Sequence, residues 1–196
     1  MSEEPDNFTS SPDFLRMIAL YGRVGDESER GMAVLMAAEL DRVTLNLLKC
    51  FIPMGKARDY LLIGQSAPIS SFSSKINLAR ALSLITEDEF HDLHIIRKIR
   101  NEFAHSSNVS FADISITSKI SHFRKTYSNY SPRKIFEVRG VDLITEIEFD
   151  ASRKAGERVR EESYNTFYRR DASHDDTAFE TAEAVATTHG AIVSWK

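Results

Sequence analysis

An all-α single domain is the fold this sequence predicts, and three observations predict it. Strong helix formers are plentiful while the breakers are scarce, with 8 Gly and 5 Pro among 196 residues. Apolar residues recur at spacings of three and four through several long stretches, which is the period of a helix with one buried face. Thr86 and Glu89 stand three apart just before an apolar run, the relation of a capping box that opens a helix. The expected organisation is a disordered lead at 1–10, a helical-bundle domain at 11–150, and a charged peripheral helix with a partly disordered tail at 151–196.

The elements follow in order. Ser11-Pro12 resembles an N-cap with Pro at the first helical position, opening a short helix to about Tyr21, and Gly22 and Gly25 punctuate its end. The longest periodic run starts at Asp26, where Asp26, Glu27 and Glu29 place negative charge in the first turn. Met36, Leu40, Val43, Leu47 and Phe51 form its apolar stripe, and Pro53 and Gly55 end it. Cys50, among Leu47, Leu48 and Phe51, reads as an inert buried thiol. KARDYLLIG suggests a short helix or turn. After the loop at Gly64–Pro68, the run 69–85 carries Phe72, Ile76, Ala79 and Leu82 at helical spacing. Thr86 then opens a helix that Ser106-Ser107-Asn108 should stop. FADISITSKISHF is either a short helix or a brief extended piece, and Asn129–Pro132 is a turn. Ile135, Val138, Val141, Ile144 and Ile147 keep a spacing of three and predict a helix to Phe149. RVREESYNTFYRR in the tail reads as a solvated helix face.

Composition narrows the function classes. A chain that is 42% hydrophobic and 28% charged suits one ordinary core. No run approaches the roughly 18 apolar residues of a membrane span, so no membrane association is expected. The polar, acidic start MSEEPDNFTSSPDF has no secretory-signal character. Cys50 is the single cysteine, which excludes an internal disulfide and fits a reducing cytoplasm. The formal net charge of −4 speaks against a dedicated duplex-DNA binder, and no helix-turn-helix pair, zinc-ligand spacing or basic arm is visible. A Gly-rich phosphate loop, a G-x-S-x-G elbow and H-E-x-x-H are also missing, so no cofactor is expected. His91 and His94 with Asp88 and Asp92 lack a cysteine companion, and no metal site is assigned to them.

The stretch HIIRKIRNEFAHSS, residues 94–107, holds the candidate chemistry. On a helix turning about 100° per residue, Leu93, Ile95, Ile96, Ile99 and Phe103 share one broad apolar side, and Arg100 falls inside that arc. A guanidinium there requires a partner, so Arg100 reaches a carboxylate, with Glu39 and Asp41 as candidates, or points into a cleft. His94, Arg97, Asn101 and His105 form a polar strip beside it. Asn101 and His105, four apart, can touch one bound atom, whereas Arg100 and His105 are about 140° apart around the axis. Two accounts stay open. In one, the arginine is architectural and His105 favours the helix C-terminus; in the other, Arg100, Asn101 and His105 contact a phosphate or RNA. Ser70, Ser71, Ser73 and Ser74 crowd a helix start, where they either cap amides or join Lys75 in a small anion pocket facing Arg97. RKTYSNYSPRK, residues 124–134, reads as an ordinary basic loop.

Two resemblances arise at these residues. Pro68 to Ser106, with P-I-S-S-F-S-S-K, A-L-S-L-I and I-R-K-I-R-N-E-F-A-H, resembles the central block of the mannitol operon repressor (MtlR-like) family, and the likeness extends over roughly residues 25–150. It implies an all-helical transcriptional regulator, a repressor that works through protein partners rather than direct DNA readout. Self-association through the Arg97–His105 stretch is a further expectation. The binding residues expected on this reading are Ser70, Ser73, Lys75, Arg97, Arg100, Asn101 and His105. Arg100-Asn101-x-x-x-His105 is also similar to the R-x(4–6)-H motif of HEPN domains, helical bundles that include metal-independent ribonucleases. That resemblance implies the alternative: a homodimer in which His105 handles the proton of the RNA 2′-hydroxyl, Arg100 neutralises the phosphate and Asn101 orients it.

Overall fold

The structure, a computed structural model, describes residues 19, 22, 24–64, 66–125 and 127–171. No strand occurs among them. Residues 19, 22 and 24–26 are helical, so Gly22 and Gly25 lie within helix rather than ending it as expected; after them come α1 (Glu29–Phe51), α2 (Lys56–Leu62), α3 (Phe72–Ala81), α4 (Glu87–His105), α5 (Ile114–Ile120) and α6 (Pro132–Asp171). The all-α expectation holds. The lead at 1–10, the helix expected at 11–21 (Ala19 apart) and the tail beyond 171 lie outside the described residues. The chain divides into two compact units that part between Lys154 and Ala155. The first holds all that follows; of the second, the α6 backbone to Asp171 is described. No helix among the described residues is long and apolar enough to cross a membrane.

Helix α1 forms because Ser28 caps it, its hydroxyl accepting from Gly31 N at 3.0 Å. The helix therefore starts at Glu29, and of the three acids expected in the first turn only Glu29 is there. Its buried face comprises Met32, Met36, Leu40, Val43, Leu47 and Leu48. Phe51, expected on that stripe, is 40% exposed, and Leu48 is buried in that turn instead. Cys50 is half-buried rather than buried. In α3, the Ser71 hydroxyl accepts from Ser74 N, and the helix ends at Ala81, earlier than the run to residue 85 suggested. Leu84 N and Ser83 N close that end on Ala79 and Arg80 carbonyls, with Ser83 at φ 55°.

Helix α4 carries the full capping box: Thr86 Oγ1 accepts from Glu89 N, and Glu89 Oε2 accepts from Thr86 N at 2.6 Å. Leu93, Ile95, Ile96, Ile99 and Phe103 are buried, as the period requires. FADISITSKISHF resolves to the helix α5, and Asn129, in the following turn, takes φ 71°, a conformation asparagine tolerates well.

Helix α6 corrects the sequence reading. Its buried face is Phe136, Leu143, Ile144 and Ile147, while Ile135 and Val141 are only half-buried and Phe149 is 70% exposed. A strict spacing of three slips about 60° per step against a period of 3.6, so 135, 138 and 141 drift off any single face. Gly140 lies on the true face, and a Cβ there would stand 2.4 Å from Met36 Sδ. The missing side chain is what allows α6 to approach α1 this closely.

Candidate functional site

The long helices α1 and α4 pack together with α3 against both. Where α3 begins, a cleft of about 490 Å³ opens between the three. From α1 it takes Ala37, Ala38 and Asp41; from the start of α3, Ser70, Ser71, Phe72 and Ser73; from α4, Arg97, Arg100 and Asn101. The structure thus brings five of the expected residues, Ser70, Ser73, Arg97, Arg100 and Asn101, into one concavity. Lys75 and His105 do not line it.

Arg100 resolves the choice posed by its place on the helix. It is exposed, points into the cleft region and donates from Nη1 to Asn101 Oδ1 at 3.0 Å. It pairs with neither acid proposed for it. Glu39 accepts from Arg42, which also binds Glu148, and Asp41 accepts from Lys75. The lysine reaches both Asp41 oxygens, at 2.7 and 2.9 Å, and its side chain is 6% exposed. This buried ammonium is satisfied by its carboxylate, as burial demands. The sequence named Asp41 and Lys75 separately but gave no sign that they pair, since 34 residues separate them.

Arg97 sits one turn before Arg100 on α4, and His94 one turn before Arg97. Arg97 Nε donates to His94 Nδ1 at 3.4 Å, so the imidazole carries its proton on Nε2, which donates to Asn77 Oδ1 at 3.1 Å. Phe90 packs edge-on against the ring, with centroids 4.6 Å apart. Burial first, then the positive charges of Arg97 and Lys98, hold the His94 pKa below its ordinary 6.5. A lowered histidine pKa means the unfolded chain binds the proton more readily, so this contribution to stability is complete above about pH 6.5 and is lost as pH falls through the folded value. In denaturation between about pH 7.5 and 5, the wild type should lose more stability than His94→Gln. Equal losses would show that the ring does not titrate as its surroundings require.

His105 is exposed in the last helical position of α4. That end is held by Arg30 Nη2, which donates to Ala104 O at 3.1 Å. Among the described residues no group of three or more His, Cys, Asp and Glu could hold a metal ion. Asp92, considered beside His91 as a ligand, is instead fully buried and committed to Arg139.

The cleft is therefore rich in donors. Its one carboxylate is neutralised by Lys75, and two guanidiniums face it. Comparison with known proteins adds the fold. No protein-family model matches the chain, and no curated protein matches it. The structure is similar to MtlR in the X-ray structure of the MtlR–HPr complex from Escherichia coli, with a TM-score of 0.54 at 18% identity, covering 66% of this chain and 99% of that one. The chain has an MtlR-like fold.

Proposed function

We propose that this protein is a transcriptional regulator, a repressor in the cytoplasm, that acts by binding a protein rather than by reading DNA. What carries the reading is the likeness to a protein whose structure was solved in complex with HPr, a likeness that spans nearly the whole of that chain. Its support from this chain's chemistry is the basic strip of α4. Arg100, Lys98 and His105 are exposed, and the next acid along the helix, Glu102, is already paired with Lys119. A partner presenting an acidic surface suits that strip, because complementary charge steers encounter and fixes register.

Titration calorimetry with HPr as the first probe tests it. The expected result is a saturable complex that the charge reversal Arg100→Glu weakens by at least about tenfold, since it turns attraction into like-charge repulsion. Sequence-specific binding of duplex DNA by the isolated chain, with no protein complex, would overturn the proposal. Metal-independent RNA cleavage that disappears in His105→Ala would favour the HEPN-type alternative instead. In the single chain, Arg100 and Asn101 line the cleft and His105 does not, so that activity would need a second copy to complete the site.

A further inference from the structure

We propose that the cleft between α1, α3 and α4 binds the phosphate group of a small phosphomonoester. The inference goes beyond the protein-partner reading and does not depend on it.

The first ground is where the charges are left. Among the described residues, guanidiniums elsewhere in the first unit meet carboxylates or main-chain carbonyls: Arg42 meets Glu39 and Glu148, Arg80 meets Glu87, and Arg133 meets the carbonyls of Gly25 and Glu27. Arg97 and Arg100 differ. Among the described residues each bonds an uncharged side chain, His94 and Asn101 respectively. They stand three apart, so both reach the same side of α4, and both line the cleft. Asp41 could have answered them but is held at both oxygens by Lys75. In a chain with 29 acids against 25 Lys and Arg, carboxylates are not scarce. Two positive charges line a concave site and the described residues supply no counter-charge beyond Asp41, which Lys75 already neutralises, so that place is left to an anion.

The second ground is the donor set. Asn101 accepts from Arg100 through Oδ1 and lines the cleft, and its NH2 adds two donors to the set. Ser70 and Ser73 contribute hydroxyls. The first-turn amides of α3, a helix of 10 residues, have no acceptor within their own helix, and Ser71 satisfies Ser74 N. A site of this kind suits a ligand that only accepts and has several oxygens to offer. Phosphate, with three terminal oxygens and a charge near −2, matches it better than a carboxylate with two.

The third ground is room. A volume of about 490 Å³ lies in the range of small-molecule sites and exceeds what a bare phosphate needs. The wall formed by Ala37, Ala38 and Phe72 is apolar and would receive the organic body of the ester.

Calorimetry on the full chain at constant ionic strength tests the assignment, with inorganic phosphate, glycerol 3-phosphate and a phosphoserine peptide as probes. Phosphate should bind with a Kd on the order of millimolar and the small ester roughly tenfold tighter, because only the ester uses the apolar wall. Arg100→Gln should weaken both by roughly tenfold or more, as loss of a charge-assisted hydrogen bond does. Ser73→Asp, which sets a fixed negative charge in the same place, should abolish binding. Arg80→Gln, on an exposed ion pair outside the cleft, should change nothing. Circular dichroism of each variant checks that it is folded. The proposal is overturned if neither phosphate nor the ester saturates, if Arg100→Gln binds like wild type, or if the peptide binds tightly while the small ester does not. HPr binding is measured separately, so failure here leaves the partner reading standing, and failure there leaves this one.

Discussion

Asp92→Ala should destabilise the protein by about 3 kcal/mol or more, since removing one member of a buried ion pair leaves the other charge uncompensated. Asp92 is fully buried on α4 and is the hub of a polar network. Its Oδ2 accepts from Arg139 Nε of α6 at 2.7 Å, and its Oδ1 accepts from the main-chain N of Arg124 at 2.9 Å. The Arg139 side chain is 3% exposed and also binds Glu146 at 3.0 Å. Burial alone would lower the Arg139 pKa, but the hydrogen bond to Asp92 and the charge of Glu146 outweigh it and hold it above its ordinary value. The network continues outward. Lys125 meets Asp142 at 2.8 Å, and the Tyr127 hydroxyl donates to Asp142 at 2.5 Å. Burial, and then that hydrogen bond, raise the Tyr127 pKa. Asp92→Asn should also cost stability, because it keeps an acceptor for Arg124 N but offers Arg139 no charge. The double variant Asp92→Ala with Arg139→Met should be less destabilised than the sum of its parts, as no unpaired charge remains. Urea denaturation of the four proteins measures the coupling. A loss below about 1 kcal/mol in Asp92→Ala would mean that water, not Arg139, satisfies that carboxylate.

This pair shows where the sequence stops being legible. Asp92 stands four and seven residues before Ile96 and Ile99, so the same period that buried those isoleucines buried it too. Arg139 lies between Phe136 and Leu143 on the α6 face in the same manner. Either position could have been flagged as a charge in the core, yet which charge answers which depends on how α4 and α6 pack, 47 residues apart. The capping box of α4 was readable because all its atoms lie within four residues. The start of α1 was misread because acids at 26 and 27 look like a first turn, whereas the cap is the hydroxyl of Ser28. The face of α6 is not legible from the β-branched residues, because a spacing of three picks out Ile135, Val138 and Val141, which are only half-buried, and passes over Phe136 and Leu143, which are buried. In the cleft, the donors of 70–75 and 97–101 were readable as two local clusters. The wall of Ala37 and Ala38, and the diversion of Asp41 to Lys75, come from α1 and needed the packed structure. Arg100 falls inside the apolar arc by its angle around α4 but is exposed, because the cleft rather than a neighbouring helix lies over it.

Phe111→Ala should cost about 4 kcal/mol, from the transfer and cavity terms of a buried phenyl group together with its two ring contacts. Phe111 is 2% exposed although it lies in the loop between α4 and α5. Its ring meets that of Phe103 with centroids 4.9 Å apart and that of Phe136 at 5.0 Å, both tilted by about 45°. The loop is therefore fixed by a side chain wedged between α4 and α6. Its main chain is fixed as well, since Phe111 N donates to Glu29 Oε2 at 3.1 Å, next to the Ser28 cap of α1. One residue thus joins the end of α4 to the starts of α1 and α6. Phe111→Leu, which refills most of the volume, should cost less than about 2 kcal/mol. Denaturation midpoints give the ordering, and amide exchange gives the location. In Phe111→Ala the last turn of α4, after Phe103, should exchange faster than the turn around Ile96, because the cavity lies beside the former. A loss below about 1.5 kcal/mol in Phe111→Ala, or exchange unchanged at residues 103–105, would show that Arg30 on the Ala104 carbonyl suffices to hold that end without the aromatic wedge.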